Sequence, residues 1–310
     1  MQFLSFFPQE EFGLEKMKSK DLVCTVCNSK RVQLTSRVKT AQIPNRLNIE
    51  WGIESIGGRS MVELLSFDYV EHYICRECYV GSWIPKVPGD AGFYESLNSL
   101  YVDKRWDKQV VCHALIKSSS ILDVGSGPNP IFGSIKDRDP TNDAAIDENP
   151  FALEKMKSSG ITGFDSPAEM LKTSPRFTSI CALHFLEHIR NPKDYFRSLV
   201  ENLLPGGDLW ISVPNRDRYI SNSVFDSLDV PPHHLTTWNI EALINFGKQL
   251  ELVTSQIWVS KPNSQNLIKR IWRKKLKNQY FELSNIQEYL SSGRPVTGYQ
   301  ILIRFIKSES

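Results

Sequence analysis

The chain has 310 residues, of which 41% are hydrophobic and 23% charged, and its formal net charge is +2. That length holds one α/β domain of roughly 200 residues and a smaller unit, with the composition of a soluble globular protein. Near-neutral charge excludes a partner chosen by bulk electrostatics, and no apolar run approaches the roughly 18 residues that a membrane span requires.

Three regions follow one another. Residues 1–20 form a short head whose opening, MQFLSFFPQEEFG, has neither the basic flank nor the cleavage site of a signal peptide, so the cytoplasm is the expected compartment. Residues 21–90 form a small module with β-rich runs at 31–40 and 61–73 and a Pro/Gly-punctuated linker at 85–92. It carries Cys24-Thr-Val-Cys27 and Cys75-Arg-Glu-Cys78. Two such pairs supply four thiolates, the closed tetrahedral donor set of a structural zinc site; redox-active pairs are the other reading. The stretch between them is longer than in a minimal zinc ribbon, so an inserted β element must bring the second pair back to the first. Cys112 and Cys181 read as buried small hydrophobes.

From 91 to 310, apolar strands alternate with amphipathic helices, the pattern of a parallel sheet covered on both faces. A strand at 121–124 runs into a glycine-rich turn, ILDVGSGPNP, and a second follows at 144–146. Asn149 then caps a helix that begins at Pro150. Strands are expected at 161–164 and 179–183, and Asn191-Pro192 repeats the capped start. Phe196, Leu199, Val200 and Leu203 lie on one helical face. Pro205-Gly206-Gly207 turns into a fifth strand at 209–213, and 252–259 with 300–306 reads as a closing antiparallel pair. The basic run IKRIWRKKLKN (268–278) is either a solvated helix face or a lid over an anionic ligand.

Glycines at 125 and 127 let the backbone approach a ligand closely, because no Cβ intervenes and positive φ is allowed. Asp147 ends the next strand at about the 20-residue distance where nucleotide-binding units place a ribose carboxylate, and Asp165 ends the third strand. This turn resembles motif I of the class I S-adenosylmethionine-dependent methyltransferases. The block 179–215, SICALHFLEHIRNPKDYFRSLVENLLPGGDLWISVPN, is similar to the fourth-to-fifth-strand segment of the same superfamily. PPHHLTTWNIEAL (231–243) is similar to a loop and helix of the branch with ubiquinone-type and small-RNA enzymes. One departure is Asn129, which stands where motif I has its third glycine.

The resemblance implies a doubly wound, mostly parallel, seven-stranded Rossmann-like sheet behind a β-rich, zinc-ribbon-like module. It also implies S-adenosylmethionine as cofactor. Asp123, Gly125 and Gly127 would flank the methionine part, Asp147 the ribose and Asp165 the adenine amine. Leu183 and His184 would stand beside the sulfonium. The cysteine module is similar to one found ahead of bacterial methyltransferases of glycan-modification clusters, where an aromatic segment follows, here 93–109.

A hydroxyl acceptor needs a base, and histidine is suited to that near neutral pH. His184 and His188 follow the fourth strand, and His233 and His234 follow the fifth, so both pairs fall on the ligand-binding rim. His234 is the expected base and His188 its orienting partner; packing or capping is the alternative. His184-x-x-Glu187-His188 with His233 or His234 also has the ligand types of a divalent site, similar to the E-x-x-E-H plus distant His of metal-assisted relatives. His184 in place of a carboxylate argues against magnesium there. The expected acceptor is a hydroxyl of a glycan, nucleotide-sugar or related anionic small molecule. RNA methylation and a non-catalytic cofactor-binding scaffold are the alternatives, and no protein partner follows from the sequence.

Overall fold

The computed structural model describes residues 22–97, 100, 105–173, 175–218, 226–260, 280–283 and 298–309. The head 1–20 and the basic run 268–278 lie outside these residues, as do parts of the aromatic segment 93–109.

In the N-terminal part, β1 (Val32–Lys39) pairs antiparallel with β2 (Tyr69–Cys75), and β2 with β3 (Gly81–Ile84). The β1–β2 register sets Val32 opposite Cys75, so this hairpin is the element that returns the second cysteine pair to the first. Helices α1 (Ile43–Trp51) and α2 (Arg59–Leu65) lie between the two strands. The second β-rich run, 61–73, is therefore corrected: Ser60, Met61 and Leu64 recur at helical spacing and are buried, and the strand begins only at Tyr69. The residues at 85–92 are pinned rather than slack. Asp90 caps α3 (Ala91–Ser96) through the amide of Phe93 and accepts hydrogen bonds from the amides of Arg59 and Ser60.

The remaining chain builds the larger sheet. In order come α4 (Trp106–Ala114), β4 (Ile121–Val124), β5 (Ala144–Ile146), α5 (Pro150–Ser158), β6 (Thr162–Phe164), α6 (Pro167–Leu171), β7 (Phe177–Leu183), α7 (Pro192–Glu201) and β8 (Leu203–Pro214). Then follow β9 (Thr236–Thr237), α8 (Ile240–Gln249), β10 (Leu252–Ser260), β11 (Tyr280–Glu282) and β12 (Gln300–Lys307). The spatial order is β11-β10-β12-β8-β7-β4-β5-β6. The five strands from β6 to β8 pair in parallel, and β12 enters antiparallel between β8 and β10. The seven expected strands are present, and short β11 adds an eighth at one edge.

Every residue of β4 is buried, and six of seven in β7, as expected for central strands covered on both faces. Asn149 caps α5 and Asn239 caps α8 through their side chains. Asn191 makes no such bond, although Pro192 does open α7. The Pro205-Gly206-Gly207 turn is absorbed into β8, which starts at Leu203. There the pairing with β7 jumps from Leu203 to Asp208, and Gly206 takes up the irregularity at φ +73°.

The two sheets interlock. β9 leaves the large unit and pairs with β3, Gly81 opposite Thr237, which makes the small sheet four-stranded. Leu235 accepts a hydrogen bond from the Trp83 amide at 2.9 Å and donates its own to the Glu187 carbonyl at 2.8 Å. Cys24, Val26, Cys75, Cys78 and Val80 belong to the same apolar cluster as Leu122, Leu186 and Trp238. Among the described residues, no helix is long and apolar enough to cross a membrane.

Candidate functional site

Strands β4 and β7 are neighbours, and the sheet order runs outward from them in both directions, so their C-terminal ends form a switch-point crevice. The turn after β4 has Gly125 at φ +69° and Gly127 at φ +61°. A Cβ on Gly125 would stand 2.3 Å from the Phe185 ring, so glycine is needed there for space as well as for φ. Asp123 is buried, accepts the Ile131 amide at 2.6 Å, and is pushed by burial up to about 7. Asp147 accepts the amides of Gly127 at 2.7 Å and Asn149 at 2.9 Å, one on each oxygen. Burial raises its pKa, and each oxygen keeps a further lone pair for a ligand. Asp165 is exposed and accepts the Ser166 hydroxyl at 2.7 Å.

Leu183 ends β7 and is buried, and His184 follows with φ +57°, its amide donating to the Ser212 carbonyl at 2.8 Å. That backbone turn aims the imidazole between two carboxylates: Nε2 lies 3.5 Å from Asp107 and Nδ1 3.4 Å from Glu187. Burial opposes a charge on His184, but the two carboxylates outweigh it and raise its pKa. Burial likewise opposes ionisation of Asp107 and Glu187, and His184 holds both below the usual carboxylate range.

The loops after β7 and β8 meet. The His188 ring lies 4.9 Å from that of His233 and 5.0 Å from that of His234, and His233 and His234 stack at 4.3 Å. Nδ1 of His188 is 2.6 Å from the His233 carbonyl and 3.1 Å from the Tyr94 hydroxyl. Nδ1 of His233 faces the Leu228 carbonyl at 2.9 Å, and Nδ1 of His234 faces Asp229 at 3.2 Å. Asp229 is in turn paired with Arg218. Burial lowers the pKa of all three rings, and for His233 and His234 the neighbouring imidazoles lower it further. For His188, the Glu187 charge and the His233 and His184 carbonyls resist that lowering. Glu187 joins the two groups: its Oε1 lies 3.9 Å from Nε2 of His234.

On the far side of β3, Cys24, Cys27, Cys75 and Cys78 bring their sulfurs within 4.8 Å of one another. The pairs Cys24–Cys78 and Cys27–Cys75 stand 3.5 Å apart, too far for disulfides. The two knuckles share one local geometry. The residue after each pair, Asn28 at φ +59° and Tyr79 at φ +63°, donates its amide to the carbonyl of the first cysteine.

Four participants escaped the sequence reading. Tyr94 on α3 reaches His188, and Asp229 orients His234. Asp107 on α4 is fully buried beside Arg105, and it shares the buried face of that helix with Val111, four residues on. A carboxylate on an apolar helical face is a legible signal of a buried partner. Tyr195 packs its ring on Phe185 at 5.4 Å, and its hydroxyl is buried with no hydrogen-bond partner among the described residues. Burial raises its pKa well above the usual range, and the charges of Glu148 and Asp147 add to the effect.

A family model described as a methyltransferase domain matches residues 101–255. A ubiquinone biosynthesis O-methyltransferase from Rickettsia canadensis is 27% identical over 160 residues, which cover 50% of this chain and 63% of that protein. The match thus spans less than two thirds of the relative's length. A SAM-dependent methyltransferase structure from Archaeoglobus fulgidus is similar with a TM-score of 0.48 and 15% identity, over 70% of this chain and all of that one. The N-methyltransferase NodS from Bradyrhizobium japonicum gives 0.40 and 13%, over 67% of this chain and 100% of its own. With the family model spanning half of its length, the chain belongs to the methyltransferase-domain family, the class I S-adenosylmethionine-dependent methyltransferases.

Proposed function

We propose that the chain moves the methyl group of S-adenosylmethionine onto a hydroxyl oxygen of a glycan, nucleotide-sugar or related small molecule. The catalytic domain would span residues 91–310, with a zinc-holding module at 21–90 ahead of it. One observation carries the reading. In the loop after β7, Phe185 packs on the glycine turn while His188, three positions on, meets His233 and His234. A cofactor on the turn and an acceptor on the histidines would therefore be neighbours. The relative from Rickettsia canadensis is named an O-methyltransferase, which favours oxygen as the acceptor atom.

The residues present fit the cofactor. Asp147 has lone pairs left for ribose hydroxyls, and the orphaned Tyr195 hydroxyl lies near its charge, where a polar ligand would satisfy it. Asp123, Gly125 and Gly127 would border the methionine part, Asp165 the adenine, and Leu183 with His184 the sulfonium. The cofactor supplies an electrophilic methyl on sulfur. The chain has to align the acceptor oxygen opposite that sulfur, exclude water and take up the hydroxyl proton. His234 is suited to the last task, since Asp229 fixes its Nδ1 and the neutral ring keeps a lone pair on Nε2. His188 would orient the acceptor beside it. The four-cysteine cluster fits zinc: bonds of about 2.3 Å in a tetrahedron put sulfurs roughly 3.8 Å apart, close to the separations observed.

The test is methyl transfer from labelled S-adenosylmethionine to a panel of sugars, nucleotide-sugars, phenols and RNA. O-methyl product on a small molecule supports the reading. Transfer confined to RNA, with affinity falling steeply as salt rises, replaces it with the RNA alternative. Cofactor binding without transfer to any acceptor would leave a scaffold.

A further inference from the structure

We propose that the N-terminal module completes the acceptor site: its helix α1 seats the loop that carries Asp229, and Arg218, buried at that contact, holds the Asp229 carboxylate against Nδ1 of His234. Arg218 is a positioning residue on this account, acting on the base through Asp229. The proposal deepens the methyltransferase reading and rests on it for the role of His234; the chain of contacts stands on geometry.

The loop 226–230 follows β8 in sequence but packs as part of the N-terminal module. Val230 is fully buried in the same apolar cluster as Ile43 and Leu47 of α1, Trp83 of β3 and Phe93 of α3, and Leu228 packs against that cluster. The last turn of α1 holds the loop by polar contacts as well. Glu50 accepts the Ser227 amide at 3.0 Å, and Nε1 of Trp51 donates to Asp226 at 3.3 Å. Arg46, one turn back, pairs with Glu50. The single 3₁₀ turn Ser227–Asp229 is therefore fixed from the module side. Arg218 closes the contact from the other side. Its side chain is buried; Nη1 donates to the Asn215 carbonyl at 3.2 Å, just past β8, and Nη2 reaches both Asp226, at 3.3 Å, and Asp229. The guanidinium takes Oδ2 of Asp229, which leaves Oδ1 for Nδ1 of His234 at 3.2 Å.

The charge of Asp229 decides which nitrogen of His234 carries the hydrogen. An ionised carboxylate can only accept, so Nδ1 keeps the hydrogen and Nε2 keeps the lone pair that a base requires. A buried carboxylate deprived of its cation takes up a proton instead. The carboxyl then donates to Nδ1, and the hydrogen of the neutral ring stands on Nε2, where it blocks the base. Burial pushes Asp229 toward the protonated form, and Arg218 opposes that push. The other charges about the pair come from several elements. His72 on β2 and Asp226 act on the Asp229 side. On the His234 side stand Glu187, which favours a charged ring, and His184, His188 and His233, whose imidazoles oppose one. Of these groups, Arg218 is the buried cation in contact with Asp229.

The experiment is nitrogen-15 NMR of the full-length chain labelled at histidine, which shows the hydrogen-bearing nitrogen of each neutral ring, together with steady-state kinetics. Loss of signals in His234→Gln identifies those of His234. The wild type should carry the His234 hydrogen on Nδ1. Arg218→Gln should move it to Nε2 and lower kcat by at least about 10-fold, part of what a general base supplies. The acceptor KM and the affinity for S-adenosylmethionine should stay nearly unchanged. Arg218→Lys keeps the charge and should restore both the Nδ1 hydrogen and most of kcat. Glu50→Ala loosens the seat from the module side, and it serves should Arg218→Gln fail to fold; His234 should then no longer be held in a single tautomer, and kcat should fall. A wild type with the hydrogen on Nε2 overturns the proposal. So does a variant, Arg218→Gln or in its place Glu50→Ala, in which the hydrogen stays on Nδ1 alone, whatever its kcat. The tautomer needs no acceptor, so the two claims separate. A tautomer that follows Arg218 in a chain without methyl transfer to any acceptor sinks the methyltransferase reading alone. Methyl transfer by the wild type with a tautomer indifferent to Arg218 sinks the positioning role alone.

Discussion

The cysteine and histidine clusters gather their groups in different ways. Each C-x-x-C pair is made locally, by a knuckle closed on its own backbone, and one hairpin, β1–β2, then brings the two knuckles together. The histidine cluster has no such local unit. His188 arrives from β7 and the His233-His234 pair from the chain beyond β8, with Tyr94 added from α3, and Leu235 ties the loops to β3. Local spacing gives a site that can be read from sequence and whose loss is felt in folding. On the proposed reading, the site assembled by the tertiary fold meets the acceptor, and its loss would be felt in turnover.

Four substitutions test that contrast. The largest effect is expected from Cys75→Ser. It should abolish zinc binding and cost several kcal/mol of stability, within the about 10–16 kcal/mol that zinc contributes to small fingers. Because Cys75 shares an apolar cluster with Leu122 and Leu186, the thermal transition of the large sheet should fall with it. An unchanged transition in zinc-free protein would show that the clusters are independent. Next comes His234→Ala, which should lower kcat by about 10²- to 10⁴-fold. Zinc content at the cysteines and cofactor affinity should stay as in the wild type, read by metal analysis and calorimetry.

The glycine turn belongs to neither cluster and serves as the reference. Asp147→Ala should weaken S-adenosylmethionine binding by about 1.5–3 kcal/mol, the usual loss for a hydrogen bond to a charged group. Unaltered affinity in calorimetry would remove Asp147 from the ribose site. Gly125→Ala should cost about 1–2 kcal/mol through its left-handed φ, visible as a lower Tm. Some cofactor affinity should go with it, because Phe185 must move from its place against the turn.

Much of the fold was legible because its signals are local. Buried runs such as 121–124, the asparagine cap at 149, and the face of Phe196, Leu199 and Val200 each reflect a physical requirement of a few neighbouring residues, whereas Asn191 makes no capping bond and Leu203, read as the next residue of that face, begins β8. The misreadings arose where the local signal was double. Residues 61–65 are apolar enough for a strand, but the burial of Ser60, Met61 and Leu64 follows a helical period. Pro205-Gly206-Gly207 reads as a turn, yet β8 carries it as a bulge because β7 pairs on either side of it. In the candidate site, the histidines could be found from residue type and position on the rim. Their partners could not: Tyr94 reaches His188 across 94 residues of sequence, and Asp229 meets His234 within an irregular loop that has no period to place the two side chains. Asp107 alone left a trace, a carboxylate on the buried face of α4.

The central claim is that methyl transfer takes place where the glycine turn and the histidine rim meet. The most direct test is a single-turnover assay with methyl-labelled S-adenosylmethionine bound to saturation, comparing wild type with His234→Ala on the first acceptor found. Equal cofactor binding with transfer slowed by at least about 10²-fold in the variant is the predicted result. Transfer at the wild-type rate by His234→Ala would contradict the account and return the histidines to packing.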